Sequence, residues 1–191
     1  KAFGACRDVT LEYPVAENEG EEDNTYLSYN MVVGNAADSQ MAMAFEVLDY
    51  ALLSAPGAPL KQALLDVKAG KDVYGSYDDG ILQPYFTVIA KGSNPDRKEE
   101  FVSVIRQVLG DIVKNGIDKK AVEAGINYFE FRYREADFSS YPKGLMYSLD
   151  ILGDWLYEED HPFSQVQQLE VFEQLKKAVN EGYFENLIRT Y

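Results

Sequence analysis

Residues 54–92 read SAPGAPLKQALLDVKAGKDVYGSYDDGILQPYFTVIAKG, and this stretch decides the fold. The Pro/Gly loop Ala55-Pro56-Gly57-Ala58-Pro59 opens a short helix predicted over Leu60 to Val67, and Gly70 stops it. Two extended runs follow, Asp72 to Tyr77 and Gln83 to Lys91, with Asp78-Asp79-Gly80 as the turn between them. An Asp-Gly pair flanked by strand-like runs is a strong short-range hairpin signal. Pro84 has no N–H for a ladder, so it belongs at the strand start or at a bulge. If the first strand lies at a sheet edge, its unpaired N–H and C=O groups can accept another extended chain.

On the N-terminal side, Val9, Leu11 and Tyr13 alternate, and Pro14 ends that expected strand. Glu17 to Asn24 is an acidic connection. Thr25 to Val33 alternates again, with Leu27, Tyr29, Met31 and Val33 on one face and Ser28 and Asn30 on the other, which is free to meet water or a polar chamber. Asp38 is suited to cap a helix whose residues Met41, Ala44, Phe45, Leu48, Ala51 and Leu52 form one apolar stripe. Met43, Val47 and Tyr50 form a second, so this helix is expected to be buried between the sheet and other helices.

On the C-terminal side, Asn94-Pro95 opens a helix with Phe101, Val104, Ile105, Val108 and Ile112 on one face, closed by Asn115-Gly116. Asp118 caps the next, whose buried face is Val122, Gly125, Ile126, Phe129 and Tyr133. Further helices are predicted over Gly144 to Leu156, Ser164 to Val179 and Tyr183 to Arg189. Strands early and helices late imply an α+β domain, an antiparallel or mixed sheet with helices packed on one face. No internal repeat or linker divides the chain.

Composition narrows the function. The chain has 191 residues, 46% of them hydrophobic, enough for one sizeable core or at most two small ones. The net charge of −14 argues against nucleic acid and anionic membranes as partners and permits attraction for basic peptides. No apolar run approaches the roughly 18 residues of a membrane span. The single cysteine, Cys6, forms no internal disulfide and is compatible with a reducing compartment. The first residue is Lys1, and the chain is expected to be a piece cut from a longer protein, with a processed chain as the alternative.

Candidate chemistry is sparse. Catalytic zinc takes three protein ligands, and one histidine, His161 in a turn-like Asp-His-Pro context, with one distant cysteine does not supply them. Asp78 and Asp79 suit turn hydrogen bonds, with a general acid/base pair in an acidic hydrolase as the alternative. Glu130, Arg134, Glu135 and Asp137 read as a solvated helix end, with a buried charge network as the alternative. Ser54, Ser76, Ser139 and Ser140 have no nearby base. No phosphate-binding glycine motif surrounds Gly57. Tyr26, Tyr29, Tyr74, Tyr77 and Tyr85 fall on strands, as sheet packing or as an aromatic floor for bound side chains.

Several segments together resemble one family. They are Thr25-Tyr26-Leu27-Ser28 with Gly34, Gly57-Ala58-Pro59-Leu60, Gly116-Ile117-Asp118, Val122-Glu123-Ala124, and Glu130-Phe131-Arg132-Tyr133-Arg134-Glu135. Lys143-Gly144-Leu145 and Trp155 followed by Asp160 and Pro162 complete the set. In this order the chain is similar to the second, non-catalytic domain of the presequence protease branch of the pitrilysin/insulinase zinc metallopeptidases. The resemblance implies a two-halved clamshell around a closed chamber, each half holding two similar α+β domains. The zinc would sit on an HxxEH motif with a further Glu in a first domain that this chain lacks. This chain would then hold no catalytic or metal-binding residue, and zinc would be the parent protein's cofactor.

The resemblance also implies that unfolded peptides bind inside as an added strand on an edge strand of the second domain. By position in the hairpin, that edge falls on Val73, Tyr74, Gly75 and Ser76, near the Gly57 loop. The expected role is therefore chamber wall and peptide-docking domain of a zinc metalloendopeptidase that degrades unfolded peptides. The alternative is a catalysis-free structural or assembly module of the same fold. The expected partners are the other domains of the same polypeptide and unfolded peptides, basic ones included. The expected compartment is the bacterial cytoplasm, with an organelle matrix as the alternative.

Overall fold

A computed structural model describes residues 4–16, 20–35, 38–136, 138–157, 159–160 and 162–191. Three antiparallel strands form one sheet: β1 (Thr25–Val32), β2 (Asp72–Asp78) and β3 (Tyr85–Ser93), in the order β1-β3-β2. The expected hairpin pairs from Asp72 opposite Lys91 to Asp78 opposite Tyr85. Its connection is wider than the Asp-Asp-Gly turn alone, because β3 begins only after Pro84. Pro84 still contributes its carbonyl, which accepts from the Val33 N–H at 2.8 Å. A bulge between Thr25 and Leu27 breaks the β1–β3 register, opposite Gly92 at φ +68°, a left-handed conformation that costs glycine little.

The helices are α1 (Ser39–Asp49), α2 (Pro59–Asp66), α3 (Lys98–Asn115), α4 (Lys119–Glu135), α5 (Lys143–Trp155), α6 (Leu169–Ala178) and α7 (Tyr183–Thr190). All but α5 contribute to the core on the sheet face built from Leu27, Val73, Phe86, Val88 and Ala90, all buried. Helix α1 lies where its two apolar stripes place it, packed on β2, α4 and α6. It ends in a π-helical turn, Tyr50–Ser54, whose Ala51, Leu52 and Leu53 are buried. Both expected N-caps form: Asp38 accepts from the Met41 N–H at 2.9 Å, and Asp118 from Lys120 and Ala121. Phe101, Ile105, Phe172 and Phe184, from α3, α6 and α7, complete the core.

Three expectations fail. The alternation Val9-Leu11-Tyr13 forms no strand; these residues are exposed, held by the Tyr13 hydroxyl on the Asn24 carbonyl and by the Asp8–Lys98 pair. Alternation specifies which face is buried, but a strand also needs a partner, and no described strand lies beside it. The single helix over Ser164 to Val179 is two pieces, a 3₁₀ turn at Ser164–Val166 and then α6. The Tyr133 hydroxyl sits at the break, donating to the Val166 carbonyl at 2.6 Å and accepting from the Gln168 N–H at 3.3 Å.

Third, Glu130 is not a solvated helix end. Its side chain is 12% exposed and pairs with Arg134 and Lys176, each at 2.6 Å. These cations hold its carboxyl below the usual range, the Lys176 bond foremost. Asp137 and His161 lie outside the described residues.

Candidate functional site

Strand β2 is bonded on one side only, to β3, and is therefore an edge of the described sheet. The Val33–Pro84 bond sets the alternation of the ladder: even-numbered residues of β3 turn their backbone groups toward β1, and odd-numbered ones toward β2. On β2 the groups of Val73, Gly75 and Tyr77 then point away from the sheet. Consistently, the Val73 N–H is taken by the carboxylate of Asp72 at 2.8 Å, while Asp72 also pairs with Lys61 at 3.4 Å. One end of the edge is thus capped by charge, a common protection against uncontrolled pairing. The Gly75 and Tyr77 positions remain for an incoming strand.

Side chains divide the expected site residues between two faces. Val73 is buried toward the helices. Gly75 shares that face: a β-carbon there would stand 2.1 Å from Asp49 Oδ1 and 2.4 Å from Leu53 Cδ1. Glycine at 75 is what lets the end of α1 lie against the strand. Tyr77 stacks on Phe45, with centroids 5.7 Å apart. Tyr74 and Ser76 are exposed on the opposite face. Gly57, at φ +75° with open space around its α-carbon, turns the chain into α2, and the Lys61–Asp72 pair brings α2 beside the capped end of β2.

The face without helices is a polar floor. Asn30 Oδ1 accepts from the Thr87 hydroxyl at 2.8 Å and from Ser28 at 3.2 Å, and the Lys91 ammonium lies 5.8 Å from the Tyr26 ring centroid. The Tyr85 hydroxyl donates to Asp78 at 2.9 Å, and this bond, followed by the carboxylate's charge, raises the tyrosine's pKa. Asp78 also accepts the Gly80 N–H at 3.0 Å. Both of its oxygens serve the turn, as its Asp-Asp-Gly sequence suggests.

Sequence reasoning missed a group of carboxylates around this turn. Glu46, Asp49, Asp79 and Asp150 come from α1, the turn and α5, and all have raised pKa values. Burial is the largest cause for each. For Glu46, pushed up to about 7, the charges of Asp79 and Asp49 add to it, and Arg132 opposes them. Asp49 accepts from the Ser54 hydroxyl at 3.2 Å, while its Oδ1 is buried without a hydrogen-bond partner. Among the described residues, no three His, Cys, Asp or Glu side chains are grouped to hold a metal ion. None of the described helices is long and apolar enough to cross a membrane.

Comparison with known proteins places this architecture. The family model "Peptidase M16 inactive domain" matches residues 6–129. The chain is 41% identical over 191 residues to Protein HypA of Clostridium perfringens, covering all of this chain and 20% of that protein. It is 30% identical over 183 residues to presequence protease 1, chloroplastic/mitochondrial, of Arabidopsis thaliana, covering 95% of this chain and 17% of that one. The chain therefore spans about a fifth of the length of the curated relatives it matches.

Among solved structures, the inactive peptidase domain from Bordetella parapertussis superposes with a TM-score of 0.62 at 13% identity, over 87% of this chain and 83% of that one. A protease from Helicobacter pylori superposes with a TM-score of 0.52 at 19% identity, over 82% of this chain and 37% of that one. At these identities the two structures speak for the fold alone. The α+β sheet with helices on one face, the family match over most of the chain and the presequence protease relatives agree: this chain belongs to the M16 peptidase family, as an inactive domain.

Proposed function

We propose that this chain is the non-catalytic, peptide-docking domain of a longer zinc metalloendopeptidase that degrades unfolded peptides. The observation that carries the reading is the strand order, which leaves β2 bonded on one side. A peptide extended along β2 would exchange backbone hydrogen bonds at Gly75 and Tyr77, with its side chains alternating between Tyr74 and Ser76 on the polar floor and the end of α1. Val73 would serve through packing, its N–H being already occupied. The Gly57 loop would border the capped end. The net charge of −14 favours basic peptides.

Bond cleavage would belong to a zinc-bearing domain elsewhere in the parent polypeptide, with this domain as one wall of the chamber. A reducing compartment, cytoplasm or organelle matrix, suits the exposed, unpaired Cys6.

The test is amide exchange in the parent protein with and without an unfolded basic peptide. Slower exchange at Gly75 and Tyr77 on peptide addition is the expected result. Saturable peptide binding with both amides unchanged would sink the docking role. Absence of an HxxEH motif from the parent coding sequence would favour a catalysis-free module instead.

A further inference from the structure

A cavity of about 310 Å³ opens between β1, α1, α3 and α7, on the helix-covered face of the sheet. Its floor is apolar: Phe45, Leu48, Phe86, Ile105 and Leu187 line it and are at most 6% exposed. The lining residues Arg106, Gly110 and Arg189 are exposed and mark its mouth.

Charge at that mouth runs against the rest of the molecule. In a chain with 32 acidic and 18 basic residues, the lining contains two arginines and no carboxylate. Arg97 and Arg134 each pair with a glutamate. Among the described residues, Arg106 and Arg189 pair with no carboxylate; Arg189 donates to the Asn186 side chain at 2.5 Å. Gly110 is an independent sign. Glycine is the poorest helix former after proline, yet it sits inside the 18-residue α3. A β-carbon there would meet nothing within 4 Å, so no packing contact requires glycine. Its effect is a gap in the cavity wall.

We propose that this cavity binds a single aliphatic chain ending in a carboxylate, a medium-chain fatty acid. At about 30 Å³ per water-sized group, the cavity holds roughly ten carbons. The chain lies on the apolar floor, and the carboxylate meets the guanidiniums of Arg106 and Arg189, whose planar forks match it. Both arginines are exposed, so the head group stays at the water boundary and escapes the cost of full burial. A peptide fits less well. The only polar side chains in the lining are the two arginines, Tyr29 and Tyr191, and the backbone groups of α1 and α3 are bonded within their helices. A peptide's buried amides would go unpaired there, at a cost that an alkyl chain does not carry. No residue of β2 lines the cavity, so the proposal stands or falls apart from the peptide-docking reading.

The experiment is calorimetric titration of the parent protein with decanoate below its micelle concentration, set against hexanoate and 1-decanol. Saturable one-site binding is expected, weakening about fourfold for each methylene removed. 1-Decanol, and decanoate on the Arg106→Gln/Arg189→Gln variant, are expected to bind about tenfold more weakly. Gly110→Leu is expected to abolish binding without lowering the melting temperature, since leucine is the better helix former and has space. No saturable binding overturns the proposal and leaves the cavity to a segment of the parent or a second copy. Binding unaltered by the arginine substitutions, or retained in Gly110→Leu, lies elsewhere in the parent and overturns it too. Equal affinity for 1-decanol removes the carboxylate from the assignment. Competitive displacement of decanoate by an unfolded peptide hands the cavity to peptide instead. Should Gly110→Leu fail to fold, the arginine variant, changed only at exposed positions, decides in its place.

Discussion

Gly75 shows how much one hydrogen in place of a methyl group can decide. The α1–β2 contact leaves no room for a β-carbon, since Leu53 is buried and Asp49 is held by Ser54. Gly75→Ala is expected to cost about 1–3 kcal/mol in urea unfolding, the usual range for overpacking. An unchanged midpoint would mean that the helix shifts freely. Glu46 makes the second residue-scale case. Its folded-state pKa of about 7 exceeds the ordinary 4.5, so between these values the folded chain binds a proton that the unfolded chain has released. Stability is therefore expected to fall as pH rises through that window, by up to about 3 kcal/mol, with the full cost present above it. Glu46→Gln should flatten this slope in unfolding curves measured at pH 5 and pH 8, and an unaltered slope would exclude Glu46 as its source.

At the scale of elements, local chemistry and tertiary rescue separate cleanly. The two-stripe pattern of α1, the Asp38 and Asp118 caps and the hairpin before Pro84 were legible because each is set by neighbours within a few residues. The break between Ser164 and Leu169 was not, since the group that stabilises it comes from Tyr133, more than thirty positions away. Tyr133→Phe would leave the Val166 carbonyl and Gln168 N–H without this partner. A loss of about 1–2 kcal/mol is expected, with faster exchange at the start of α6. No loss would mean that water substitutes fully. The same distance hid the Glu130–Lys176 pair and the carboxylates gathered from residues 46, 79 and 150. Of the proposed docking site, the hairpin was readable, whereas the edge position of its first strand was a condition that the strand order meets. The orientation of Gly75 toward α1 and the capping of Val73 by Asp72 were not, because they depend on ladder parity and on helix placement.

For the whole molecule, the family model that matches is that of an inactive domain. Added zinc is expected neither to raise the melting temperature of this chain nor to elicit peptide hydrolysis from it. Zinc-dependent cleavage that survives removal of contaminating protease would contradict the division of labour proposed above. The three-stranded sheet carries one more implication. Because β1 and β2 are each paired on one side only among the described residues, copies separated from the rest of their polypeptide are able to stack head to tail, the first strand of one against the uncapped part of the second strand of the next. Such a head-to-tail contact grows as a filament wherever its rotation does not close a ring. Light scattering that climbs steeply with concentration, and subsides when Gly75 or Tyr77 is N-methylated by chemical synthesis, would register that growth.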